Sequence, residues 1–183
     1  GIIATKKGPI RWPGIVTELV EESGHVTDLI TAEAVAWLKR QGEQPFFLYI
    51  PFTAVHLPVK EPDEWLARVP QTLAEEVPRQ YAASIMHLDD AVGKIIAVLE
   101  ETGQRENTLL VFTSDNGGSA AENNDSRYPD DNYPAGKIPG NNAPLRGKKG
   151  DLYEGGIRVP TIVSWPGRLA AGAKCTTPIH VTD

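Results

Sequence analysis

The sequence predicts an α/β fold: part of a mostly parallel central sheet with helices on both faces. Two long segments have helical periodicity, three short runs are rich in β-branched and aromatic residues, and polar, glycine-bearing loops follow where those runs stop. With 183 residues, 40% of them hydrophobic, the chain can bury one substantial core.

In chain order, residues 28–41 (DLITAEAVAWLKRQ) carry apolar side chains at 29, 30, 34, 35 and 38, with Thr27 or Asp28 in front as N-cap, which predicts an amphipathic helix. PFFLYIPF, residues 45–52, reads as a buried strand ended by Pro51. KEPDEWLARVP is polar and proline-punctuated, a surface excursion. Over 79–101, Ala82, Ile85, Asp89, Val92, Ile96 and Leu99 keep helical spacing, which makes Asp89 a core acid facing the sheet and Gly103 the residue that ends the helix. NTLLVFTS is the second strand. The glycine-, asparagine- and proline-rich stretch 117–147 is a long functional loop, and VPTIVSWPG supplies the third strand.

The net charge of −6 and the scatter of basic residues leave no electrostatic footprint for nucleic acid. No apolar run is long enough to span a membrane. Cys175 is the single cysteine, which excludes an internal disulfide framework and a cysteine-based metal site. The opening GIIATKKG has neither an initiator Met nor a signal-peptide pattern, so the expected start is not the natural one.

In α/β sheets ligands bind beyond the carboxyl ends of strands, and three stretches fall there. Asp115 and Asn116, in VFTSDNGGS, place a carboxylate and a carboxamide where the second strand stops. Those oxygens suit a hard cation such as Ca²⁺ or Mg²⁺, while D-N-G-G also builds a plain turn, so both readings stand on these residues alone. His56, in PFTAVHLPV, ends the first strand and read alone is a structural histidine. In NNAPLRGKKGDLYEGGIRVP, glycines surround Arg146, Lys148, Lys149, Glu154 and Arg158, a loop that can meet an anion or remain a solvated basic turn.

Together, GHVTDLITAEAVAWLKR, PFFLYIPFTAVHLPVKEPDEW, YAASIMHLDDAVGKIIAVLE, NTLLVFTSDNGG, GNNAPLRGKKGDLYEGGIRVP and PIHVTD resemble, in order, the formylglycine-dependent sulfatases of the alkaline phosphatase superfamily, most closely the arylsulfatase B (N-acetylgalactosamine-4-sulfatase) type. The resemblance implies a sulfuric ester hydrolase. Asp115 and Asn116 are then calcium ligands, His56 binds sulfate and assists the leaving group, and Lys149, five residues before Glu154, contacts sulfate oxygens. Lys148 borders the site, while Glu154 and Arg158 brace the turn. The nucleophile is a formylglycine made from the cysteine of a Cys-x-Pro-x-Arg segment, and Cys175 lacks that context. The resemblance therefore implies that residues 1–183 are the central-to-C-terminal portion of a sulfatase catalytic domain, without its nucleophile segment or C-terminal subdomain. This portion alone is expected to be inactive.

The substrate so implied is a small-molecule or oligosaccharide sulfate ester: a sulfated sugar such as 4-sulfated N-acetylgalactosamine, or an aryl sulfate. The family suggests a periplasmic, secreted or lysosomal-type compartment. The alternatives are a phosphoryl or phosphonate ester hydrolase of the same superfamily, whose members tend to have histidine where Asn116 stands, and a non-catalytic sulfatase-like module. Cys175 is expected at a buried or edge position. His25, His87 and His180 lie in no distinguishing motif and stay outside the site.

Overall fold

A computed structural model describes residues 23–125 and 132–180. The opening octapeptide, residues 126–131 of the long loop and the end of PIHVTD lie outside the described residues.

Two helices carry the core. The first, α1 (Val26–Lys39), is capped by His25, whose Nδ1 accepts the Thr27 N–H at 3.3 Å. Neither Thr27 nor Asp28 is the cap, because the imidazole two residues before Thr27 takes that amide. A second long helix, here α3 (Glu76–Glu101), starts three residues before the periodicity suggests and contains Pro78 in its first turn, where no intrahelical donor is lost. Gly103, at φ +69°, ends it as expected.

The inward face of α3 runs through Gln80, Ser84, His87, Ala91, Ile95 and Val98. Ile85 and Asp89 are exposed, so Asp89 is not a core acid. Three of the inward positions are polar, and a stripe drawn on hydrophobicity alone is displaced one position round the helix.

Ala34 and Leu38 of α1 pack against Ile95, Val98 and Leu99 of α3. Burying one leucine of this kind contributes roughly 1.5–3 kcal/mol. Phe46, Leu48, Ile50 and Phe52 pack on the same cluster, while Phe47 and Tyr49, between them, are 90% and 75% exposed. PFFLYIPF therefore keeps the alternation of a strand but is buried on one side only, and it joins no ladder among the described residues.

KEPDEWLARVP is not only a surface excursion. It contains the short helix α2 (Asp63–Leu66) and inserts Trp65 and Val69 against Ala83 of α3. Two apolar residues four apart turn to one side of this helical stretch, which anchors the otherwise polar segment.

The strand β1 (Leu110–Thr113) pairs with β4 (Thr161–Ser164), Leu110 opposite Ser164 and Thr113 opposite Thr161. A second ribbon joins β2 (Ala120–Asn123) to β3 (Lys137–Pro139). The α/β class holds, but both described ladders are antiparallel where a mostly parallel sheet is expected. Parallel neighbours need a crossover of a dozen or more residues, usually helical. Between β1 and β4 the only helix among the described residues is the four-residue α4 (Glu154–Ile157), and the chain returns to the end of β1 that it left.

Candidate active site

The His56 loop is fixed from both ends. His56 N–H donates to the Thr53 carbonyl at 2.8 Å, and Leu57 is buried against Val77 of α3 and Ile138 of β3. Just beyond, fully buried Asn124 accepts the Val59 N–H at 2.6 Å and donates to the Val59 carbonyl at 2.9 Å and the Pro134 carbonyl at 3.1 Å. One amide thus replaces three backbone partners that water cannot reach. Nothing in the local sequence around Asn124 separates it from its polar neighbours.

The Asp115 and Lys149 loops are stitched together through backbone. Gly117 N–H donates to the Gly156 carbonyl at 2.9 Å, and Lys149 N–H to the Gly118 carbonyl at 3.1 Å. Asn142 completes the seam by accepting the Gly118 N–H and donating to its carbonyl, both at 2.8 Å. A Cβ on Gly117 would stand 1.8 Å from the Gly155 carbonyl oxygen, and one on Gly155 would stand 2.2 Å from that of Gly147. The glycine density of this span therefore serves close backbone approach. Glu154 and Arg158 pair at 3.5 Å across α4, and Arg146 lies over the Tyr153 ring at 3.7 Å. The brace expected of Glu154 and Arg158 is present, although so exposed a pair adds little stability.

These loops bring together two predicted site residues 93 positions apart: Lys149 Nζ is 2.8 Å from His56 Nε2. Nδ1 of the same ring is 2.7 Å from the Leu57 carbonyl oxygen. A carbonyl can only accept, so Nδ1 carries the proton and Nε2 is the lone-pair nitrogen that receives the lysine N–H. Lys148 is exposed, its backbone N–H donating to Asp151 Oδ2 at 3.0 Å. The neighbouring lysines are thus distinct: one is turned to His56, the other to solvent.

Asp115 is exposed at the end of β1, and Asn116 Nδ2 donates to the Gly117 carbonyl at 2.9 Å. The carboxylate and the amide oxygen are hard donors of the kind calcium takes. As two of the six to eight oxygens calcium needs, they fit it in type and require further ligands. Among the described residues Asp115 belongs to no cluster of three or more acidic, histidine or cysteine ligands. Cys175 is exposed rather than buried, in a segment outside the helices and strands.

A second polar cluster lies in the core, where the sequence marked nothing. His87, 1% exposed, places Nδ1 2.8 Å from Glu61 Oε2 and Nε2 3.1 Å from Asp28 Oδ1. Trp65 stacks on the ring at 4.4 Å, and His25 Nε2 lies 3.5 Å from Glu61 Oε1. Burial holds the His25 imidazole below its ordinary value, chiefly by desolvation, with Glu61 pulling the other way. His25 and His87 are thus far from ordinary surface histidines. The spacing of His87 on the inward face of α3 was the available signal.

The sequence profile of the Sulfatase family matches residues 5–183. A sulfatase of Formosa agariphila is 34% identical over 87% of this chain and 28% of its own length. The N-acetylgalactosamine-6-sulfatase of Mus musculus is 35% identical over 81% of the chain and 25% of its own length. Among solved structures, Ps i-CgsB in complex with k-i-k-neocarrahexaose superposes with a TM-score of 0.71 at 34% identity, over 85% of this chain and 31% of that one. The PsFucS1 sulfatase from Pseudoalteromonas sp. gives 0.61 at 28% identity, over 85% and 28%. The chain thus spans between a quarter and a third of the length of these relatives. With residues 5–183 matched by one profile and a TM-score of 0.61 to a solved sulfatase over 85% of its length, the chain belongs to the sulfatase family.

Proposed function

We propose that the complete protein hydrolyses a sulfate ester of a sugar or aryl alcohol, and that this chain supplies the sulfate-binding half of its site. The contact between Lys149 and His56 carries the reading: an ammonium and an imidazole from distant loops converge at 2.8 Å on the exposed side of the fold. A sulfate monoester spreads negative charge over its terminal oxygens, and preorganised donors there stabilise charge moving to the leaving oxygen. Lys149 meets one terminal oxygen. His56, its Nδ1–H held by the Leu57 carbonyl, presents Nε2 to the bridging oxygen; in its imidazolium form, with a second proton taken up on Nε2, it passes that proton to the departing alcohol and returns to the neutral ring.

A calcium ion held by Asp115 and Asn116 with ligands from elsewhere would supply further positive charge for the sulfate oxygens. The nucleophile, a hydrated formylglycine, is supplied by a Cys-x-Pro-x-Arg segment outside these 183 residues, since Cys175 is the only cysteine here. In this reading the chain is an internal portion of a catalytic domain and is inactive alone. Asn116 favours a sulfatase over a phosphoryl or phosphonate ester hydrolase of the superfamily.

The relatives act, by their names, on different esters: N-acetylgalactosamine-6-sulfate and steryl sulfate among them. Ps i-CgsB was crystallised with an oligosaccharide. A sulfated sugar is the substrate class we assign, and a 4-sulfated N-acetylgalactosamine is the first to assay. The test is sulfate release by the complete protein from that sugar and from 4-nitrophenyl sulfate. Loss of release in His56→Ala, with folding intact, is the expected result; equal turnover by the variant overturns the assignment. Calcium should raise the melting temperature of the parent but not of Asp115→Ala. An identical gain in both would remove Asp115 from the metal site.

A further inference from the structure

The buried cluster of His25, Asp28, Glu61 and His87 takes no part in the sulfate chemistry above, and its hydrogen-bond accounting does not close. A neutral imidazole has one donor and one acceptor nitrogen. If His87 Nδ1 donates to Glu61 Oε2 at 2.8 Å, then Nε2 turns a lone pair toward the Asp28 carboxylate oxygen 3.1 Å away. Two acceptors face one another at the edge of the core. A positive particle belongs on that line, either a second ring proton or a metal ion.

The charges favour the metal. Asp28 and Glu61 bring two carboxylates to the two nitrogens of the His87 ring. Lys60, at the border of the cluster, directs its ammonium to the Asn132 carbonyl at 3.2 Å and stands 5.9 Å from the centre of the Tyr133 ring. A proton on His87 offsets one carboxylate, whereas a divalent cation offsets both.

The donors also fit. Ligand atoms of His25, Asp28 and His87 lie within 4.8 Å of one another, and the 3.1 Å between His87 Nε2 and Asp28 Oδ1 is close to the edge of a tetrahedron with metal–ligand bonds of about 2.0–2.1 Å; to ligate, His25 releases the Thr27 N–H that its Nδ1 accepts at 3.3 Å. Glu61 holds the far nitrogen of His87, the outer-shell carboxylate that sets tautomer and orientation in metal-bound imidazoles. Trp65, stacked at 15° to His87, fixes the ring plane. A cleft of about 270 Å³ bounded by Gly24, His25, Lys60, Glu61 and Pro62 gives entry, and the Asp28 side chain is 48% exposed. Imidazole with carboxylate suits zinc better than calcium, so this site differs in chemistry from Asp115 and Asn116.

We propose that His25, Asp28 and His87 bind one divalent transition metal of the zinc class, with Glu61 orienting His87 and water in the fourth position. The complete protein, untagged and carrying Cys175→Ser to remove the exposed thiol, is stripped with a chelator and titrated with Co²⁺, then Zn²⁺. One equivalent of cobalt should give the intense visible bands of a tetrahedral ion, and zinc should displace it. Glu61→Gln should weaken affinity by about 10- to 100-fold. Asp28→Asn, in the first turn of α1 with its side chain half exposed, keeps the fold and should remove the tetrahedral spectrum. Asp115→Ala should leave that spectrum intact. Cobalt showing only the pale spectrum of the hydrated ion overturns the proposal, as does a tetrahedral spectrum that survives Asp28→Asn. It is equally overturned if the imidazole ¹⁵N spectrum shows both His87 nitrogens protonated at saturating zinc.

Discussion

Two histidines with similar hydrogen-bond counts serve opposite ends. His56 stands on an exposed loop, its Nδ1 tied to a backbone carbonyl and its Nε2 toward the Lys149 ammonium. His87 is sealed between three helices, with both nitrogens on carboxylates and an indole over its face. The first has a nitrogen that an incoming anion can reach, and the second is enclosed by carboxylates and an indole. Exposure, rather than the number of partners, separates the ring that solvent and solutes can reach from the ring built into the core.

The largest expected effect tests the buried side. His87→Ala leaves the Glu61 carboxylate, 2% exposed, without its nearest partner, and should destabilise the protein by about 3–5 kcal/mol in denaturant unfolding. His56→Ala should change stability by about 0.5 kcal/mol or less while removing activity. Equal losses of stability in the two variants would erase the distinction.

Next is Lys149→Ala, expected to lower kcat/KM of the complete enzyme by about 10²-fold or more, the scale of one preorganised contact. Asn124→Ala, which strands the buried Val59 amide and carbonyl, should cost about 1–3 kcal/mol and raise the mobility of the His56 loop in relaxation measurements. Wild-type stability in that variant would mean that Leu57 alone anchors the loop. The smallest effect belongs to Lys148→Ala, about tenfold or less in kcat/KM and fading with added salt, because an exposed charge acts through long-range attraction. A larger loss at Lys148 than at Lys149 would invert the assignment of the two lysines.

The convergence of His56 and Lys149 was more legible than the core around it. His56 and Lys149 lie in stretches whose glycine, proline and charge patterns have no use in a core, and the structure brings them together. Asn124 and Asn142 gave no such sign, because a buried amide that satisfies distant backbone groups looks like any loop asparagine until the chain folds. The His87 cluster was missed for a related reason: hydrophobic periodicity counts apolar residues, while the inward face of α3 is partly built from Gln80, Ser84 and His87. The two antiparallel ribbons were not legible, because alternation of elements says nothing about the direction in which a long excursion returns.

The seam between the Asp115 and Lys149 loops also determines how this part of the molecule opens. The amides of Gly117, Gly118 and Lys149 are donors in one set of cross-loop bonds, and the glycines leave no room for the two backbones to slide. Neither loop can detach while the other stays in place. The three amides should therefore exchange with deuterium at one shared opening free energy, as a single cooperative unit distinct from the helices. Lys149 then owes its position to the time that unit spends closed rather than to its own rotamer.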